Sequence, residues 1–295
     1  MYADDTTLSS KLTLDKTNVT PENELKINKE LNKITTWLKL NKLSLNTRKT
    51  KLMIFLPPGK KIKTPKIEID NFEIERVTNF DFLGLTINEN LNWSAHTNKI
   101  SNKISRSIGI INKLKNYIPT HIKLILYYSL ILSHLQYCIL IWGYQPGRLL
   151  KLQKKAERII TNSKYNAHTE PIFKHLDLLK FNDLVKLNEL KFFYKYSHQT
   201  LPQKINEIPI QPNHTIHQHN TRSRYQIHTQ LVKHEYAKKC LEYQLPITIN
   251  TTPKIVLDKI YTHSLDGFAK YSKNYTLKNY TFECSESNCY ICGQN

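Results

Sequence analysis

Between Glu89 and Glu157 the 295-residue sequence has no acidic residue, yet that interval holds ten lysines and arginines. Over the whole chain 43 Lys and Arg stand against 24 Asp and Glu, a net charge of +19, so about half of the excess lies in this one stretch. A block of one sign suits a polyanion, nucleic acid ahead of an anionic membrane surface. Its plainer reading is the solvated face of a basic protein. Cysteine is also scarce. Five cysteines, three of them in the last dozen residues, exclude the disulfide framework of a small secreted domain. The opening Met1-Tyr2-Ala3-Asp4-Asp5 has neither a basic start nor an apolar run, so no signal peptide is expected. No long apolar run is present either. The best membrane candidate, 124–142, contains Ser129, Ser133, His134 and Gln136, which predicts a buried helix rather than a span. Glycine is rare while Asn, Ile, Lys and Tyr abound, a bias of AT-rich coding that accounts for part of the lysine excess. There is no internal repeat.

What is present is enough for a core. With 40% hydrophobic and 10% aromatic residues, the chain is neither a disordered tail nor a collagen-like repeat, and its length fits one large domain or two smaller ones. The expected location is intracellular, nuclear or cytoplasmic.

The hydropathy pattern predicts an α+β fold. Ile27, Leu31, Ile34 and Leu38 make a narrow stripe on one helix face, and Pro21-Glu22 suits its first turn. The stripe is flanked by Lys26, Lys29, Glu30 and Lys33, so the helix is expected to pack on a sheet by one side. A strand is predicted over 51–56, closed by Pro57-Pro58-Gly59. A hairpin is predicted for 67–74 around Asp70-Asn71, and a further strand over 80–87, interrupted by Gly84. From Trp93 the period becomes helical: Ile100, Ile104, Ile108 and Ile111 line one side, while Lys99, Lys103, Arg106 and Lys113 share a narrow arc elsewhere. A mostly apolar helix is predicted from Pro119 to about Trp142, a third over 146–160 and a fourth over 181–196. Beyond residue 200 the prolines at 202, 209 and 212 and a polar, histidine-rich run predict a loop and a loosely structured tail. The expected organisation is 1–92, helix with short antiparallel strands; 93–200, basic and helical; 201–295, loosely structured with a cysteine-containing end.

The residues that bear on chemistry lie at the two ends. Tyr2-Ala3-Asp4-Asp5 places paired carboxylates in a form that can hold a hard divalent cation such as magnesium; its plain alternative is an acidic turn near a terminus. At the other end, Cys284-x4-Cys289-x2-Cys292 offers three thiolates, and tetrahedral zinc needs a fourth ligand. Cys240 or His263 could supply it from a distance; otherwise these are reduced cysteines in a loose tail.

Tyr2-Ala3-Asp4-Asp5 resembles the catalytic motif of reverse transcriptases. The motifs that follow resemble non-LTR retrotransposon members, of the LINE and jockey-like branches, in the same order. These are Trp37-x3-Asn41-x-Leu43-x-Leu45-Asn46-x2-Lys49-Thr50 with Met53-Ile54-Phe55, then Phe80-x-Phe82-Leu83-Gly84-Leu85-Thr86-Ile87, then Leu91-x-Trp93-x2-His96. Tyr127-Tyr128-Ser129-Leu130, His134-Leu135-x-Tyr137, Trp142-Gly143, His219-Asn220-Thr221-Arg222 and Leu245-Pro246 continue the likeness. It is strong through about residue 145 and loose after 200. The resemblance implies that 1–92 is the last part of a palm, 93–200 a thumb, and that the parent activity is RNA-directed DNA synthesis with magnesium. Asp4 would then be the metal-bound carboxylate with Asp5 its neighbour, and Tyr2 and Ala3 would shape the approach to the primer end. Lys49 would lie near the incoming nucleotide's phosphates, unless it is an ordinary surface lysine, and Gly84 would let backbone approach the primer, unless it marks a bulge. Lys99, Lys103, Arg106 and Lys113, with Lys115 at the helix end, would contact the phosphates of an RNA–DNA or DNA duplex, or of the RNA template, without reading sequence. The family also uses an aspartate on a strand ahead of this motif, where here only Met1 precedes Tyr2, so the chain alone is expected not to polymerise. The alternative is a host-retained nucleic-acid-binding module that needs no catalysis. No membrane partner is expected.

Overall fold

The computed structural model describes residues 6–11, 14–15, 18–70, 72–216 and 221–280. The fold is α+β and divides into two compact units, Met1–Ala95 and His96–Asn295.

In the first unit, strands β1 (Leu14–Asp15) and β2 (Asn18–Val19) form a short antiparallel pair ahead of helix α1 (Pro21–Leu40). Thr20 is extended, its carbonyl accepts from the amides of Asn23 and Glu24, and Pro21 occupies a first-turn position where no amide is needed. Glu22 and Glu24 complement the positive end of the helix and Lys39 the negative end. The first half of the predicted stripe faces inward. Ile27 and Leu31 pack, with Leu52, on the buried Ile67, Ile69 and Ile74. Those isoleucines belong to or flank a hairpin of β3 (Glu68–Ile69) and β4 (Phe72–Glu73), which turns through Asp70 at φ +49°. Asn28 fastens helix to hairpin: its side-chain amide donates to Lys66 O (3.1 Å) and its oxygen accepts from Glu68 N (3.0 Å).

Two expectations for this unit are corrected. Residues 51–56 form no ladder strand. Leu52 makes a single parallel bridge to Arg76, and Leu56 N donates to Glu89 O. Residues 80–87 are not one strand but most of a hairpin, β5 (Asn79–Phe82) paired with β6 (Leu85–Asn88). Leu83 and Gly84 form its two-residue turn at φ +46° and +80°, the left-handed pair whose twist matches the flanking strands.

The second unit holds α2 (Ser94–Leu114), α3 (Thr120–Tyr127), α4 (Ser133–Gln136), α5 (Ile139–Trp142), α6 (Leu149–Ile160), α7 (Thr169–His175) and α8 (Phe181–Ser197). The single helix expected from Pro119 to Trp142 is interrupted. A π-helical turn, Tyr128–Leu132, leads into α4, and Cys138 at φ +50° then breaks the axis before α5. Trp142, completely buried, lies 5.7 Å from the Phe181 ring in a stacked arrangement and 5.3 Å from His96 edge-on. Around it Gln153 is satisfied on both sides. Its amide donates to Tyr127 Oη (2.9 Å) and Leu179 O (2.8 Å), and its oxygen accepts from Phe181 N (2.8 Å).

After the short α9 (Gln203–Asn206) and α10 (Asn213–Ile216) come α11 (Leu241–Thr251), α12 (Lys254–Leu257) and α13 (Leu265–Lys278). These overturn the expectation of a loose region over this part of 201–295. Val256, Ile260 and Phe268 form a buried cluster with Leu190 of α8. Tyr280 closes the far side, its hydroxyl accepting from Lys180 N (3.0 Å) and donating to Asp183 (2.5 Å). Among the described residues no helix is long and apolar enough to cross a membrane.

Candidate nucleic-acid interface

Helix α2 carries two faces. Ile100, Ile104, Ile108 and Ile111 are buried, and Ser107 Oγ donates to Leu130 O (3.3 Å), fixing the helix against the π-helical turn. That burial decides where the cations go. Lys103, Arg106 and Lys113 are exposed, Lys99 is half-buried, and Lys115 is half-buried just past the helix end. Basic residues spaced along one helical arc, with no acid in the helix to neutralise them, can bind successive phosphates while the isoleucine face holds the helix in place.

The structure adds one cation and removes another. Exposed Arg148, at the start of α6, donates from Nη2 to Asn102 Oδ1 at 3.0 Å, which brings its guanidinium beside the arc. Sequence spacing gave no sign of this, because 46 residues separate the two. Lys123, counted among the acid-free block, is buried instead. Its ammonium reaches Ile160 O (3.3 Å) and Asn162 Oδ1 (3.4 Å) at the C-terminal end of α6, and burial, aided by the Lys115 charge, lowers its pKa. His134 is held neutral more firmly than a free imidazole, first by burial and then by the charge of Lys103.

Lys49 is exposed, in the turn where its amide donates to Asn46 O (3.1 Å). Gly84 is explained by the hairpin turn and its positive φ, so no close approach to a primer is needed to account for it. Tyr2, Ala3, Asp4 and Asp5 lie outside the described residues, as do Cys284, Cys289 and Cys292. Among the described residues no three His, Cys, Asp or Glu side chains cluster in a way that could hold a metal. Cys240 Sγ donates to Ala237 O, and His263 Nδ1 pairs with Thr262 Oγ1 (2.9 Å).

No protein-family profile, curated protein or solved structure matches this chain.

Proposed function

We propose that this chain is a nucleic-acid-binding portion of a reverse transcriptase of the non-LTR retrotransposon type, with residues 1–92 derived from the palm and 93–200 from the thumb. The observation that carries the reading is the α2 arc: Lys103, Arg106 and Lys113 exposed on the side of the helix away from its buried isoleucines, with Lys99, Lys115 and Arg148 beside them. Such a surface holds an RNA–DNA or DNA duplex by its phosphates and reads no bases. Magnesium, in this reading, would be held by Asp4 with Asp5 as its neighbour, and Lys49 would serve the nucleotide's phosphates. Zinc at Cys284, Cys289 and Cys292 would require a fourth ligand.

The binding role stands without catalysis, which is also how a host-retained module would work. Fluorescence anisotropy with an RNA–DNA hybrid, titrated from low to physiological salt, tests it. Affinity is expected to fall steeply with salt and to be equal across unrelated sequences. Binding that is flat with salt, or absent at low salt, would overturn the reading.

A further inference from the structure

The polar, histidine-rich run over 214–228 reads from sequence as a loop or weakly ordered linker, yet its described part is tightly laced. Asn213 N donates to Gln226 O (2.9 Å), His214 N to Arg224 O (3.0 Å) and His228 N to Gln211 O (2.8 Å), with an antiparallel bridge between Pro212 and Ile227. Asn250 of α11 clamps the same loop, accepting from Ile227 N and donating to Ile227 O, both at 2.8 Å. Backbone held on both sides in this way presents its side chains in a fixed geometry.

What it presents is an aromatic ring in solvent. Tyr225 is 80% exposed. The Arg224 guanidinium lies over that ring at 5.8 Å from its centroid, and the His214 imidazole is 5.8 Å away, tilted by 56°. Arg222, also exposed, begins the same turn, in which Arg224 N donates to Thr221 O. A solvent-facing π surface with the Arg224 guanidinium beside it provides what one unpaired nucleotide requires: a platform for the base and a cation for its phosphate. A paired base, already stacked in a duplex, offers no free face to the ring.

We propose that the loop holding Arg224 and Tyr225 is a second nucleic-acid site, one that takes an unpaired nucleotide of a single strand by stacking its base on Tyr225. It shares no residue with the α2 arc, so the two sites can be tested apart.

The test uses the full chain and fluorescence anisotropy with three labelled probes: a single strand, an abasic single strand of the same length, and a duplex. Tyr225→Ala is expected to weaken single-strand binding about tenfold, within the range for loss of one base–aromatic stack. Binding to the abasic strand and to the duplex should be unchanged by that substitution, and Tyr225→Phe, which keeps the ring, should behave as the parent. Equal single-strand affinity for the parent and Tyr225→Ala would overturn the proposal, and so would an equal loss on the abasic strand. Failure of the α2 reading would appear separately, as duplex binding indifferent to Lys103, Arg106 and Lys113.

Discussion

Thr248 donates a hydrogen bond from its hydroxyl to Glu189 at 2.7 Å, joining α11 to α8 across 59 residues. The other carboxylate oxygen of Glu189 accepts from Tyr144 Oη at 2.8 Å. Burial raises the pKa of Glu189, and these two hydroxyls offset part of that rise. This link makes residues 241–251 part of the helical unit. Thr248→Val keeps the shape and removes the donor, and is expected to cost about 1–3 kcal/mol in urea unfolding, since a buried carboxyl oxygen loses its partner. An unchanged midpoint would place α11 outside the cooperative unit.

Glu157 is completely buried, and neither carboxyl oxygen has a hydrogen-bond partner among the described residues. Burial lifts its pKa well above the ordinary 4.5, and Arg158, Lys154 and Lys180 counter only part of the rise. The folded chain therefore holds this proton more tightly than the unfolded chain. Its stabilising effect is full below the unfolded pKa and is lost as pH rises toward the raised folded value. Glu157→Gln cannot ionise, so its stability relative to the parent should grow as pH rises above about 4.5. Urea midpoints of both chains across that range check this; a pH-independent difference contradicts it.

Lys123 separates charge count from charge position. Lys123→Met removes a cation of the acid-free block from a buried site, so duplex affinity should stay as in the parent. A loss of affinity equal to that of an α2 lysine variant would show that total charge, and not the arc, governs binding.

Magnesium-dependent primer extension by the 295-residue chain is expected to stay at background. Two metal ions call for more carboxylates than the Asp4-Asp5 pair supplies. Extension that disappears in Asp4→Asn would overturn this.

Much of the fold could be read from periodicity where periodicity alone decides it. The α1 stripe at Ile27 and Leu31, the turn at Asp70 and the isoleucine face of α2 all lie where expected, because each rests on local spacing. At two other positive-φ residues the reading failed. Leu83 in the β5–β6 turn and Cys138 between α4 and α5 adopt left-handed backbone with no composition to announce it. Pro246 lies inside α11, and a proline argues against a helix there, whereas the α8 partner that holds α11 in place is 59 residues away in sequence. The arc on α2 was legible for the same reason as its apolar face, whereas Arg148 joins it only through the folded contact with Asn102.

The central claim is that α2 binds a duplex by its phosphates. Salt titration of RNA–DNA hybrid binding, for the parent and for the Lys103→Ala, Arg106→Ala, Lys113→Ala triple variant, tests it most directly. Each lost phosphate contact should flatten the slope of log K against log salt by about 0.9, so the variant's slope should be shallower by about 3. Identical slopes for the two chains would contradict the account.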